Sequence, residues 1–180
     1  YNQGDKDFYA LLTKIKPLNP EAILIIGVIG ETAQIVKQAK ELKIGAQLLG
    51  FGGITNDKFV QLAGAAAEGL YHISNFEPGA TKYFPDSDAF VKAYQTKYNA
   101  SPDMVAAKTY EAVYLLANAV EKGGLDREKV RAVMAATKDL PGISGPTTFE
   151  KNGQAIKNLL IVQIQNGKRV PVASIAWKPE

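Results

Sequence analysis

Histidine, cysteine and clustered carboxylates are the residues that could hold a metal or run acid–base chemistry. This chain is poor in the first two: His72 is its one histidine, and it has no cysteine. A metal centre needs converging His, Cys or carboxylate ligands, and no acid in the local sequence stands ready to orient His72 as a base. His72 therefore reads as a core or surface histidine, two residues before Ser74 on the same strand parity. Asp86 and Asp88 sit where linkers and helix caps use carboxylates. The sequence contains no G-x-S-x-G elbow, no P-loop and no G-x-G-x-x-G. No catalytic residue is assigned, and neither a metal nor a cofactor is expected. The remaining chemistry belongs to the backbone. Gly27, Gly30, Gly52 and Gly53 would let N–H groups approach a ligand closely. Glu31 lies at the head of a helix, where the N–H dipoles favour negative charge.

Those glycines belong to one stretch, Glu21 to Gly53. Ile23 to Ile26 is a continuous β-branched and leucine run, which predicts a strand buried on both faces. Gly27 and Gly30 bracket a tight turn. Ile35, Val36, Ala39 and Leu42 then form one helical stripe, and Gln47 to Phe51 is a second short apolar run. Strand, helix and strand in that order make a βαβ unit with a right-handed crossover. Ligands of open α/β sheets gather beyond the carboxyl ends of the strands. The loops expected there are Gly27-Val28-Ile29-Gly30-Glu31 and Phe51-Gly52-Gly53-Ile54.

Before this unit, Phe8, Leu11, Leu12 and Ile15 stripe a helix over residues 5–16, capped by Asp5 or Asp7 and ended by Pro17. After it come a short helix opened by Asn56 or Asp57 and a third strand from Gly69 to Phe76. The composition changes at Glu77–Asp88, whose two prolines and glycine have the profile of a linker. Three helices follow. The first carries Phe90, Val91, Tyr94 and Tyr98, behind a cap at Asp86 or Ser87. The second runs from about Asp103 to Lys122, and its segment Ala112–Val120 is apolar nearly all round, which predicts burial on most sides. The third places Val130, Val133, Met134 and Thr137 on one face behind Asp126. In the tail, Asn152-Gly153 and Asn166-Gly167 are hairpin signals.

Composition excludes several classes. With 46% hydrophobic and 22% charged residues, the 180-residue chain is that of a folded globular protein. The net charge of +3 comes from scattered lysines without a basic block, which argues against nucleic acid as a partner. No apolar run approaches the roughly 20 residues that span a bilayer.

Five phrases, taken in order, carry a resemblance over nearly the whole chain: GDKDFYALLTKIKPLNPEAILIIG, AQIVKQAKELKIGAQLLGFGG, FVQLAGAAAEGLY, FVKAYQTKYNASPDMVAAKTYEAVYLLANAVEKGG and GPTTFEKNGQAIKNLLIVQI. Together they resemble the leucine/isoleucine/valine-type solute-binding proteins of ABC transporters, the type I periplasmic-binding-protein family. The resemblance implies an α/β, Rossmann-like parallel sheet of βαβ units in a two-lobe architecture, here partial. Residues 1–78 would be part of a C-terminal α/β lobe, 79–154 the helical part of an N-terminal lobe, and 155–180 the returning strands and hairpin. Family members are about twice this length, and the chain opens at Tyr1 without an initiator Met. It is therefore expected to be the C-terminal half of such a protein, periplasmic or extracellular, with a lipoprotein anchor as one form.

The resemblance also implies a site, in an inter-lobe cleft. Val28 stands where leucine-type members offer a tyrosine to the ligand, and Gly52 where they offer an acid to its ammonium group. Val105 stands where an aromatic often lines the cleft. The expected ligand-binding residues are Val28, Ile29, Gly30, Glu31, Phe51, Gly52, Gly53 and Val105. The expected partners are a small solute, either an amino acid or a small organic or aromatic acid, and ABC permease subunits. Exposed faces of a half-protein also predict a homodimer. The alternatives are a ligand-sensing domain of a receptor or regulator, and a flavodoxin-like α/β enzyme. The enzyme would need a catalytic group at the strand ends, where Val28, Gly30, Gly52 and Gly53 supply none.

Overall fold

The computed structural model describes residues 1–176. Helix α1 (Tyr9–Ile15) precedes the βαβ unit, which is β1 (Ala22–Gly27), α2 (Ile29–Glu41) and β2 (Gln47–Gly52). Then come α3 (Asp57–Ala63), β3 (Tyr71–Ser74), α4 (Ser87–Tyr98), α5 (Met104–Gly123) and α6 (Arg127–Ala135). Four strands close the described chain: β4 (Thr148–Phe149), β5 (Ala155–Ile156), β6 (Leu159–Gln165) and β7 (Lys168–Ile175). The chain divides into two compact units. Among the described residues, unit 1 holds Tyr1–Ser74 and Ile161–Ala173, and unit 2 holds Asn75–Leu160 and residues 174–176.

Unit 1 is built on a five-stranded sheet in the order β1-β2-β3-β6-β7. The pairs β1/β2 and β2/β3 are parallel, in the register Ile26↔Phe51 and Gly27↔Gly52 for the first and Gly50↔His72 for the second. The two-residue loop Asn166-Gly167 joins β6 to β7 with both residues at positive φ, as a tight hairpin turn of the right twist requires. The core lies between sheet and helices. Ile35, Val36 and Ala39 of α2 pack with Phe8, Leu12, Ile25, Leu48, Ile54 and Phe59. Asn56 caps α3 by accepting the Lys58 N–H.

Three expectations change here. The β1 run is not buried on both faces: Leu24 is 58% and Ile26 63% exposed, because β1 is an edge strand whose second face lies open. Leu11 is exposed although it fits the α1 stripe. The helix itself is shorter than expected, starting at Tyr9, whose N–H donates to Asp7.

In unit 2, α4 and α5 pack through Phe76, Phe90, Val91 and Ala107, and α6 follows α5 behind the Asp126 cap. Asp103 caps α5 by accepting the Ala106 N–H. The supposed linker is packed: Glu77, Ala80, Phe84 and Ser87 are all buried. Its prolines and glycine shape turns over a core rather than a solvated tether. The opposite correction falls on α5. Only Ala107 and Ala119 of this helix are buried, whereas Val113 and Tyr114 are 61% and 60% exposed. Its all-round apolarity thus leaves one face uncovered within the described residues. The strands β4 and β5 pair antiparallel around the Asn152-Gly153 loop.

On β3, burial alternates so that His72 and Ser74 share the covered face. Burial, backed by the charge of Arg169, pushes the His72 pKa down from 6.5 to about 4. An unfolded chain would therefore take up a proton near pH 6.5 that the folded one refuses. Stability is expected to fall from pH 6.5 towards pH 4 by about 3 kcal/mol on this account. Urea midpoints measured across that range should show a steeper pH dependence for the wild type than for His72→Gln, and equal slopes would exclude this role for His72.

Candidate functional site

At the carboxyl ends of β1 and β2 the sequence leaves the chain little room. Gly27 ends β1, Val28 alone links it to α2 in an extended conformation, and the helix starts at Ile29. Gly30 is thus a residue of the first helical turn and not a bracket of the loop. A Cβ on it would meet nothing within 4 Å, so space does not demand a glycine there. Gly52 and Gly53 are different. The Gly53 N–H donates to the Gly27 carbonyl at 3.0 Å. A Cβ on Gly53 would lie 2.9 Å from the Ile29 nitrogen, so the two loops touch backbone to backbone. Gly52 has φ +95°, and a Cβ there would stand 2.8 Å from the Gly27 oxygen. An acid at residue 52 would need a different backbone.

Seven of the eight predicted residues come together at these strand ends. Val28 and Phe51 are about half exposed and give the rim its apolar surface. Ile29, Gly30 and Glu31 form the first turn of α2, which no side chain caps. Val105 lies in unit 2, on the first turn of α5, and is 63% exposed.

Glu31 is only 8% exposed, and its carboxylate accepts the Gly4 N–H at 2.8 Å. Its charge complements the α2 dipole, and its oxygen serves this chain's own backbone. Sequence reasoning missed the segment that does this. Residues 1–8 cross the strand ends: the Tyr1 hydroxyl donates to the Ile26 carbonyl at 2.7 Å, and its ring meets Phe8 edge-on at 5.2 Å. Desolvation and the Glu31 charge raise the Tyr1 pKa. No local pattern pairs residue 1 with residue 26, so no sequence signal could have found this contact.

Unit 2 holds the other polar cluster. The Glu111 carboxylate accepts from Lys157 Nζ at 2.7 Å and from the Ser144 N–H and hydroxyl at 2.9 Å, with Lys108 Nζ at 3.6 Å. Burial by itself would raise the Glu111 pKa, but these donors outweigh it and hold the group below its ordinary value. Burial, with the charge of Lys157, takes Lys108 down to about 8. The cluster lines a groove of about 810 Å³ that contains none of the eight predicted residues. It serves as an internal ion network holding the loop at Ser144 to α5 and Lys157. Among the described residues no group of three or more His, Cys, Asp or Glu could hold a metal ion. No helix among them is long and apolar enough to cross a membrane.

The family model for periplasmic binding proteins matches residues 1–169. The chain belongs to the periplasmic binding protein family. Among relatives of this family member is a leucine-, isoleucine-, valine-, threonine- and alanine-binding protein of Pseudomonas aeruginosa. It is 31% identical over 159 residues, which are 87% of this chain and 41% of the relative. A leucine-binding protein from Thermotoga maritima superposes with a TM-score of 0.90 at 33% identity, covering 98% of this chain and 50% of that one. A branched-chain amino-acid transporter substrate-binding protein from Streptococcus pneumoniae, solved with isoleucine, gives 0.84 at 35% identity, with 99% and 51% covered. The chain thus spans about half the length of the relatives it matches.

The geometry at Gly52 yields a direct expectation. Gly52→Ala should destabilise the protein by about 1–3 kcal/mol, through the positive φ and the encroachment on Gly27. Gly30→Ala should be neutral or mildly stabilising, since it is helical and unobstructed. Thermal melts of the two variants would check the contrast, and equal losses would contradict it.

Proposed function

We propose that this chain is the ligand-gripping portion of the solute-binding component of an ABC importer, periplasmic or extracellular, handing a small organic solute to permease subunits. Family membership supports the class of function, and the names of the relatives support transport. Catalysis forms no part of this reading: the strand ends present apolar side chains and backbone, and the buried His72 stays neutral.

The observation that carries the ligand class is Gly52. A buried ammonium group left without a counter-charge is costly by several kcal/mol. In unit 1 the rim offers it no exposed carboxylate at residue 52, a glycine whose backbone refuses a side chain, and Glu31 is buried with its Oε1 accepting the Gly4 N–H. A solute without an α-ammonium, such as a small organic or aromatic acid or an amide, fits that rim better than a zwitterion. The uncapped first turn of α2 would favour its negative end, and Val28 and Phe51 its apolar body. The second reading is a branched-chain amino acid, favoured by what the named relatives bind. Under that reading the amine is held by a group other than residue 52.

Calorimetry against benzoate, short-chain acids, leucine and glutamate separates the two. Benzoate or a short-chain acid is expected to bind at least about tenfold more tightly than leucine, a difference of about 1.4 kcal/mol. Tight leucine binding would instead establish the amino-acid reading.

The uncovered face of α5, with Val113, Tyr114 and Leu116 exposed, supports association of this 180-residue chain with a second copy. Light scattering is expected to give a mass above that of the 19.4 kDa monomer at micromolar concentration, and a monomer with a sharp melt would remove this part of the proposal.

A further inference from the structure

The strand ends carry a feature that the eight predicted residues do not explain. Residues 1–8 form a strap over them, pinned at four points. The Tyr1 hydroxyl donates to the Ile26 carbonyl, and the Gly4 N–H donates to Glu31 Oε1. Gln38 makes the other two bonds: its Oε1 accepts the Phe8 N–H at 2.6 Å, and its Nε2 donates to the Lys6 carbonyl at 2.9 Å. Glu31 and Gln38 are seven residues apart on α2, two helical turns, and so share a face. Both are over nine-tenths buried. Burying a carboxylate and an amide is costly unless each finds partners. These two find theirs in the strap backbone.

Gly27 adds an independent observation. Its φ is not positive, so conformation alone does not require glycine there. A Cβ would instead collide with the Tyr1 hydroxyl, the nearest atom to it. The strand end is thus left bare at the position where the phenol rests. Tyr1 meets Phe8 with one edge, yet 53% of it is exposed, and its hydroxyl rests at the end of β1 beside Gly27, the residue before Val28.

We propose that Tyr1 is a further wall of the ligand rim, and that Glu31 and Gln38 are positioning residues that hold it there through the strap rather than groups that touch the solute. The inference rests on the solute-binding reading of the strand ends and adds a residue to it. It also changes the role of Glu31. The carboxylate closest to the rim helps shape the site without supplying a counter-charge to an ammonium. Tyr1 supplies an aromatic surface suited to the flat or apolar body of an organic acid, with its hydroxyl already committed to Ile26.

Two readouts on the full 180-residue chain test this, amide exchange and calorimetry with benzoate and leucine as probes. Glu31→Ala is expected to speed exchange of the Gly4 amide by about tenfold, the loss of one hydrogen bond to a charged group. Glu31→Gln, which keeps an acceptor oxygen, should recover most of the protection and most of the probe affinity. Tyr1→Ala and Gly27→Ala should weaken benzoate binding to a similar extent, about fivefold, as expected for one aromatic contact. Unchanged Gly4 exchange in Glu31→Ala would overturn the anchoring role. Loss of leucine affinity in Glu31→Gln equal to that in Glu31→Ala would overturn the positioning role and make Glu31 a direct ligand group. If the wild type binds a probe and Tyr1→Ala binds it equally well, Tyr1 is no wall and the solute-binding reading still stands. If the wild type binds neither probe, that reading fails and takes the ligand role of Tyr1 with it, and exchange alone then decides the anchoring.

Discussion

The contact on which unit 1 depends is the one between its two strand-end turns. Parallel pairing puts Gly27 opposite Gly52, and the Gly53 N–H closes on the Gly27 carbonyl. With backbone against backbone, no side chain fits between the turns, and Gly52 must take a positive φ. The same close approach puts Gly53 against the start of α2 and limits which residue types are admissible at residue 52. Residue 52 is held in a conformation that suits glycine, with no space for a Cβ beside the Gly27 carbonyl. A packing constraint thus limits which side chains the strand-end turns can present.

Helix α2 transmits that constraint. Its apolar stripe of Ile35, Val36 and Ala39 is sealed into the core, which leaves the helix no freedom to rotate. Glu31 and Gln38 are buried beside that stripe and satisfied by main-chain groups of residues 4–8. Buried polar groups of this kind cost free energy when any partner moves, so they select one path for the strap. The same face of the helix thus holds the core and the edge of the rim in register.

Unit 2 follows different physics. Its charged groups are gathered where Glu111 meets Lys157, Ser144 and Lys108, and one face of α5 carries apolar residues in solvent. A carboxylate with two lysines is stable at such depth because Ser144 adds neutral donors to the ion pairs. Apolar exposure on α5 has no internal compensation among the described residues.

Periodicity in the sequence determined the βαβ order, the buried stripe of α2, the start of α3 at Asn56 or Asp57, the cap at Asp126, and the Asn166-Gly167 hairpin. Each rests on contacts within a few residues, where side-chain type and backbone preference act directly. The five ordered phrases determined the family, and seven of the eight predicted residues meet at one place because strand ends in a parallel sheet are fixed by topology. Tertiary structure alone decided the rest. Apolarity could not tell that β1 is an edge strand with an open face, or that one side of α5 is uncovered, because burial depends on which other segments arrive. Prolines and glycine marked Glu77–Asp88 as a turn-rich stretch, yet only packing made it part of a core. The strap lay beyond any local reading, since its bonds span 25 to 32 residues, and hydrogen bonds at that separation are set by the fold that brings their partners together.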